Sequence, residues 1–441
     1  MPTQKGFVLI PIIIVVVLLL VFAVVFFKPF SNRSSTFVGE TFQKAPSDLI
    51  DGHPHECQKR MGFDNWRTDQ SFSVDPQDSK LMYVAVEYKG VYKSQDGGVT
   101  WAKKNQGLRG YPSQGNPQVP CQEQHPLLVV DPSNSNRLLL TSPSSAGTLK
   151  DMNSENAGLY ESLDAGESWH QLFSEAMNVW TYTAFAFDPT NTKTIYVGTS
   201  AMPANYDGAD PNKIFVTKGV VYKTKDGGKT WKELPTGLVP YLRSWKLFIN
   251  PKDSNHLFLA TMATPPNRGG GKIQSEQLGI LETKDGGETW TQLESLPKAD
   301  RAIMASDIAP QNFNNIFISV SRSNEEEIKY YSVDAGRTFN EVATAVNMFK
   351  FDPHDPQGLR LLGYSLYASP PFIFESLDGG KTWHTYSSIP KEVTNELRIS
   401  NIVWDPKNKN IVYLNGDEGR VWKSDDNGKN WQLILSLENL K

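Results

Sequence analysis

The sequence predicts an all-β fold assembled from seven four-stranded antiparallel units, and three observations carry that expectation. An eight-residue turn recurs seven times, a proline-centred turn precedes each copy, and short β-branched or aromatic runs fill the intervals. The first copy reads Ser94-Gln-Asp96-Gly-Gly98-Val-Thr100-Trp101, and the others are built around Asp164, Asp226, Asp285, Asp334, Asp378 and Asp426. Successive aspartates lie 68, 62, 59, 49, 44 and 48 residues apart. That spacing is too regular for chance and too variable for a rigid solenoid, so loops of unequal length separate like units.

Each position of the turn has a physical task. An Asp followed two residues later by Gly makes a side-chain-capped turn, in which the carboxylate accepts backbone N–H groups and the Gly takes positive φ without a Cβ clash. The Ser or Thr two places before the Asp closes one strand. The Thr-Trp pair opens the next and carries a large ring into the packing layer, where an aromatic buries about 150–250 Å². The fifth copy has Phe339 in place of Trp. Ahead of each copy a short apolar strand ends at Asp75-Pro76, Asp131-Pro132, Asp188-Pro189, Asn250-Pro251, Ala309-Pro310, Asp352-Pro353 or Asp405-Pro406. A β-rich run such as Thr194-Ile-Tyr-Val197 follows, and a third strand enters the turn. The order is strand, proline turn, strand, loop, strand, Asp turn, strand.

Ser/Thr-x-Asp-x-Gly-x-Thr-Trp resembles the Asp-box (BNR) repeat, which that family uses between the third and fourth strands of a β-propeller blade. The resemblance implies a single seven-bladed β-propeller over residues 71–441. Sialidases, xyloglucan hydrolases, sortilin-type receptors and photosystem II assembly factors are similar in this pattern, and their chemistries differ. The seven box aspartates are therefore structural.

The chain has 441 residues, of which 33 are Gly and 28 Pro, a composition suited to a large all-β body with many turns. A net charge of −4 with acids and bases interspersed argues against a nucleic-acid partner. Residues 7–27, FVLIPIIIVVVLLLVFAVVFF, form an unbroken apolar run. At ~1.5 Å per residue it reaches about 31 Å, the thickness of a hydrocarbon core. An N-terminal transmembrane anchor over residues 1–28, a stalk over 29–70 and a propeller outside the cytoplasm are the expected organisation. The leader also resembles that of type IV prepilins, although Pro11 stands where that family has Glu. The two cysteines, Cys57 and Cys121, are too few for a disulfide framework but can form one bridge between stalk and propeller in that compartment. His53, His55, Glu56 and Cys57 match no closed zinc spacing, and neither a metal nor a cofactor is expected.

Strand direction puts proline turns and Asp boxes on one face and the remaining loops on the other. Loops 103–126, 142–157, 200–218 and 261–278 are long and rich in Gly, Pro, Asn and Tyr, which marks that second face for ligands. Arg243, Arg301 and Arg398 each precede an innermost strand there, and three guanidinium forks around one mouth suit an anion. Sialidases are similar in using three arginines. Trp180, Tyr182, Tyr206, Tyr241 and Trp245 form a candidate stacking platform for a sugar or peptide, with packing of Trp180 and Trp245 between blades as the alternative. Glycoside hydrolysis needs two carboxylates about 5–10 Å apart; Glu87, Glu276, Asp300, Asp307 and Glu396 are available and nothing selects a pair. The expectation is a binding or scaffold module for a protein or an anionic polymer, with a surface-polysaccharide hydrolase as the alternative.

Overall fold

The computed structural model describes residues 71–86, 90–108, 127–142, 158–173, 182–199, 219–238, 242–263, 278–296, 302–321, 327–365, 372–389, 399–416 and 419–436. The apolar run 7–27, the stalk and both cysteines lie outside these residues.

Seven blades of four antiparallel strands make a seven-bladed β-propeller. Within each blade the strands hydrogen-bond in chain order, from the innermost outward. The first blade starts with Phe72–Val74, and the last ends with Gln432–Leu435, so every blade draws all four strands from one contiguous stretch. Blades four and five are also joined edge to edge by the pairing of Met262 with Ala302, which merges them into one eight-stranded sheet.

The box geometry is the same seven times over. In the third copy, Thr224 Oγ1 donates to Asp226 Oδ1 and accepts the Gly228 N–H at 2.9 Å. Asp226 in turn accepts the Thr230 N–H at 2.9 Å and its hydroxyl at 2.6 Å. The first residue of the repeat thus does more than end a strand: its hydroxyl ties the carboxylate to the glycine amide. The Asp-to-Gly step turns through positive φ at both central residues, as at Gly97 (77°) and Gly98 (94°). The box indoles are mostly half-buried rather than sunk in the core, and those of Trp101, Trp231, Trp290 and Trp383 donate to the carbonyl of their own box glycine.

Boxes and proline turns do share one face. The residue after each box Asp donates its N–H to a carbonyl of the same blade's proline turn, from Gly97 to Lys80 through Asn427 to Asn410. Adjacent proline turns are linked in their turn, by Ser135 to Asp75, Ser254 to Asp188, Gln311 to Pro353 and His354 to Asp405. The circle closes where Ser79 Oγ donates to Asp405 Oδ1 at 2.8 Å and Lys407 reaches the Gln77 carbonyl. Between blades, apolar burial adds to these hydrogen bonds. Seven apolar clusters occupy the seven seams, one of them packing Phe72 and Val84 of blade one against Tyr413 and Leu435 of blade seven.

Candidate functional site

A cavity of about 270 Å³ lies where the innermost strands of blades three to six converge. Ala186, Phe248, Asp307 and Lys350, each three residues before a turn proline, share its wall with Lys246. Pro251, Pro310 and Phe313 belong to the proline turns, so the cavity sits toward the box face, away from the long loops. Its polar groups come from three successive blades. Lys246 Nζ donates to the Ser306 carbonyl at 3.1 Å, and Lys350 Nζ to Asp307 Oδ1 at 3.0 Å.

Asp307 stood in the sequence among the candidate carboxylates. In the fold it is 3% exposed and committed on both oxygens, since Oδ2 accepts the Phe351 N–H at 2.7 Å. It is a strut from blade five to blade six. Each oxygen accepts one hydrogen bond from the neighbouring blade, so the orientation of the carboxylate is set by the fold. The other four candidates, Glu87, Glu276, Asp300 and Glu396, lie outside the described residues.

The expected ligand platform is reached by the described residues at three points. Trp245 is buried, 6% exposed, on the innermost strand of blade four. Arg243 and Tyr182 fall on innermost strands of blades four and three, without described side chains. Arg301, Arg398, Trp180, Tyr206 and Tyr241 lie outside the described residues. Among those residues no group of three or more His, Cys, Asp or Glu is arranged to hold a metal ion.

The box carboxylates are not available for chemistry. The Thr100 hydroxyl and amide hold the Asp96 carboxyl at about 2, and those of Thr230 do the same for Asp226. Sequence inspection passed over two charged clusters that the fold brings together. In blades two and six an arginine, buried at Arg137 and largely covered at Arg360, joins two acids: Arg137 with Asp131 and Glu161, Arg360 with Asp352 and Glu375. The signal was present in each case as Arg immediately before the first core leucine of strand two and Glu immediately before the box Ser.

With the fold and these groups in place, the class is a seven-bladed β-propeller. No family model matches the chain. The xyloglucanase Xgh74A of Acetivibrio thermocellus is 24% identical over 392 residues, which cover 79% of this chain and 39% of that protein. The chain therefore spans about two-fifths of that relative's length. Among solved structures, an ancestral GH74 enzyme superimposes with a TM-score of 0.54 at 15% identity, covering 83% of this chain and 46% of the other, a likeness of fold alone. YCF48 bound to D1 peptide gives a TM-score of 0.45 at 16% identity over 71% of this chain and 84% of the other.

Proposed function

We propose that this propeller acts on polysaccharide as a glycoside hydrolase of the xyloglucanase kind, working through the face opposite its Asp boxes. The observation that carries the reading is the alignment with a xyloglucanase over 79% of the chain. Hydrolysis calls for an acid and a base or nucleophile about 5–10 Å apart. Asp307 is tied into the blade five to blade six strut, and the proposed pair is placed on the loop-rich face. Arg243, Arg301 and Arg398 belong to the same proposed surface, as do the aromatic residues Trp180, Tyr182, Tyr206 and Tyr241.

A second reading, a propeller that binds without hydrolysing, is favoured by one observation: the candidate carboxylate that falls among the described residues, Asp307, is tied into the strut between blades five and six. It keeps a protein or an anionic polymer among the ligands. Incubation of the full chain with xyloglucan separates the two. Release of reducing ends supports the hydrolase, retention on xyloglucan without release supports the binding module, and neither outcome removes polysaccharide from the account. We further propose that residues 7–27 anchor the chain in a membrane with the propeller outside the cytoplasm. Extraction of the full chain from membranes by detergent but not by alkaline carbonate checks that anchor.

A further inference from the structure

Three residues before the first Ser or Thr of each box, strand three points into the seam with the following blade. Six blades place an aliphatic side chain there, Val91, Leu159, Val221, Ile280, Ile373 and Val421, none more than 2% exposed. Val91 packs with Leu128 and Leu138 of the next blade, and Ile373 with Ile399 and Trp404. Blade five places Lys329, whose side chain is 5% exposed. The repeat thus supplies its own control, six times over, for what this seat requires.

The lysine is surrounded by a small polar group. Its Nζ lies 3.4 Å from Glu327 Oε2 and donates to the Glu327 carbonyl at 3.4 Å. Glu327 Oε1 accepts the Ser319 hydroxyl, and Oε2 accepts the Asn347 side-chain amide. Ser319 and Asn347 are buried, the latter just before the innermost strand of blade six. Burial pushes the Lys329 amine down in pKa, against the pull of Glu327. A charge in a seat that six blades fill with hydrocarbon costs stability, and the fold demonstrably does without it. Such a conflict between residue and environment marks functional positions.

Glu327 is the exposed member. It opens strand three of blade five, Glu327–Ser332, at the end remote from the box, and its side chain is 20% accessible. A carboxylate offers about four acceptor positions. Ser319 and Asn347 donate to it and Lys329 pairs with it, all from buried side chains, which leaves acceptor capacity on a held, one-fifth accessible carboxylate at the end of the blade remote from the box.

We propose that Glu327 is a ligand-contacting carboxylate that accepts hydroxyl groups of a polysaccharide, and that Lys329 is the positioning residue that fixes it. The proposal rests on the polysaccharide reading above and adds a subsite to it. The test measures binding of xyloglucan oligosaccharide by calorimetry and thermal unfolding on the same samples of full chain. Lys329→Ile restores the residue type of the other six blades, so Tm rises while affinity falls about tenfold, near 1.4 kcal/mol. Glu327→Gln, and Glu327→Asp as a variant that keeps the charge but retracts it, lose a similar factor. If native protein binds and all three variants bind equally well, the assignment of Glu327 is overturned and the polysaccharide reading stands. A lower Tm for Lys329→Ile makes the pair a structural latch and overturns the proposal as well. Native protein that binds no xyloglucan oligosaccharide removes both.

Discussion

The seam between blades six and seven and the seam between blades four and five start from the same sequence register and are held by different forces. Arg360 and His256 each precede the first core residue of strand two, and each faces a Glu that precedes the box, Glu375 and Glu282. Arg360 has donors to spare. Its Nε bonds Glu375 at 2.8 Å, and Nη1 bonds both Asp352 and, across the seam, Asn427 of the next box at 2.9 Å. The imidazole of His256 has two nitrogens, and its partners Glu282 and Asn250 both lie in its own blade. Its ring meets the next blade by packing edge-on to Phe313 at 5.2 Å. In this seam alone among those described, strand pairing joins two blades, Met262 to Ala302, while others are crossed by single backbone hydrogen bonds such as Gly219 to Leu242. Reach decides what this position adds: a forked five-donor side chain latches strand two to the next box, whereas the shorter imidazole adds ring packing, in a seam that also carries a sheet bridge and the hydrogen bonds of Lys246 to Ser306 and Lys252 to Gln311.

The largest test of this contrast is removal of the latch. Burial opposes the charge of Arg360, but Asp352 and Glu375 outweigh it and its pKa is raised, so the group stays a cation at every working pH. Arg360→Met leaves two carboxylates, both under 10% exposed, without their cation. It is expected to cost about 3–5 kcal/mol of unfolding free energy in a denaturant titration. His256→Asn removes a hydrogen bond and a ring contact but strands less charge, and about 1–2 kcal/mol is expected. Equal losses at the two sites would show that the latch adds nothing to packing.

A second comparison sets the latches against the boxes. Asp226 and Asp426 are held at about 2, from an ordinary 3.8, first by Thr230 and by Asn430 respectively. A carboxyl whose folded pKa is depressed stabilises the fold above its unfolded value and loses that contribution as pH falls through the folded one. The boxes therefore contribute fully above pH 3.8 and fade toward pH 2. Asp226→Asn should flatten that part of the acid limb of the Tm-against-pH curve and leave its shape above pH 5 unchanged. Both carboxylates sit in solvent, which keeps the effect below that of Arg360→Met.

These contrasts show how far the residues alone could be read. The boxes and proline turns are local, with partners two to five residues away, so seven blades and their shared face followed directly from the string. Seam chemistry is not local. Arg137 finds the carbonyl of Gly227 90 positions on, and Lys329 becomes unusual only when the seven third strands are laid over one another. Asp307 looked like a free carboxylate because its partners, Lys350 and the Phe351 amide, arrive from the next blade. The ligand face was inferred from loop length, and Arg301, Arg398, Trp180, Tyr206 and Tyr241 lie outside the described residues, in stretches of sequence that follow no repeat.

The smallest effect discriminates most finely between box and latch. The residue after the box Asp adopts positive φ in every copy; four copies use Gly, while Ala165 (59°), Ala335 (60°) and Asn427 (65°) do so with a Cβ. An alanine in this region carries roughly 1–2 kcal/mol of strain, part of which is offset by the extra chain entropy that glycine loses on folding. Ala165→Gly and Ala335→Gly should each stabilise by about 0.5–1 kcal/mol, read as a small rise in denaturation midpoint at constant slope. Asn427→Gly relieves the same backbone but deletes the oxygen that receives Arg360 Nη1. Its net effect should be zero or negative, and the deficit relative to the two alanine sites should vanish in an Arg360→Met background. A deficit that persists there would assign Asn427 to its own turn and leave Arg360 with partners in blade six alone.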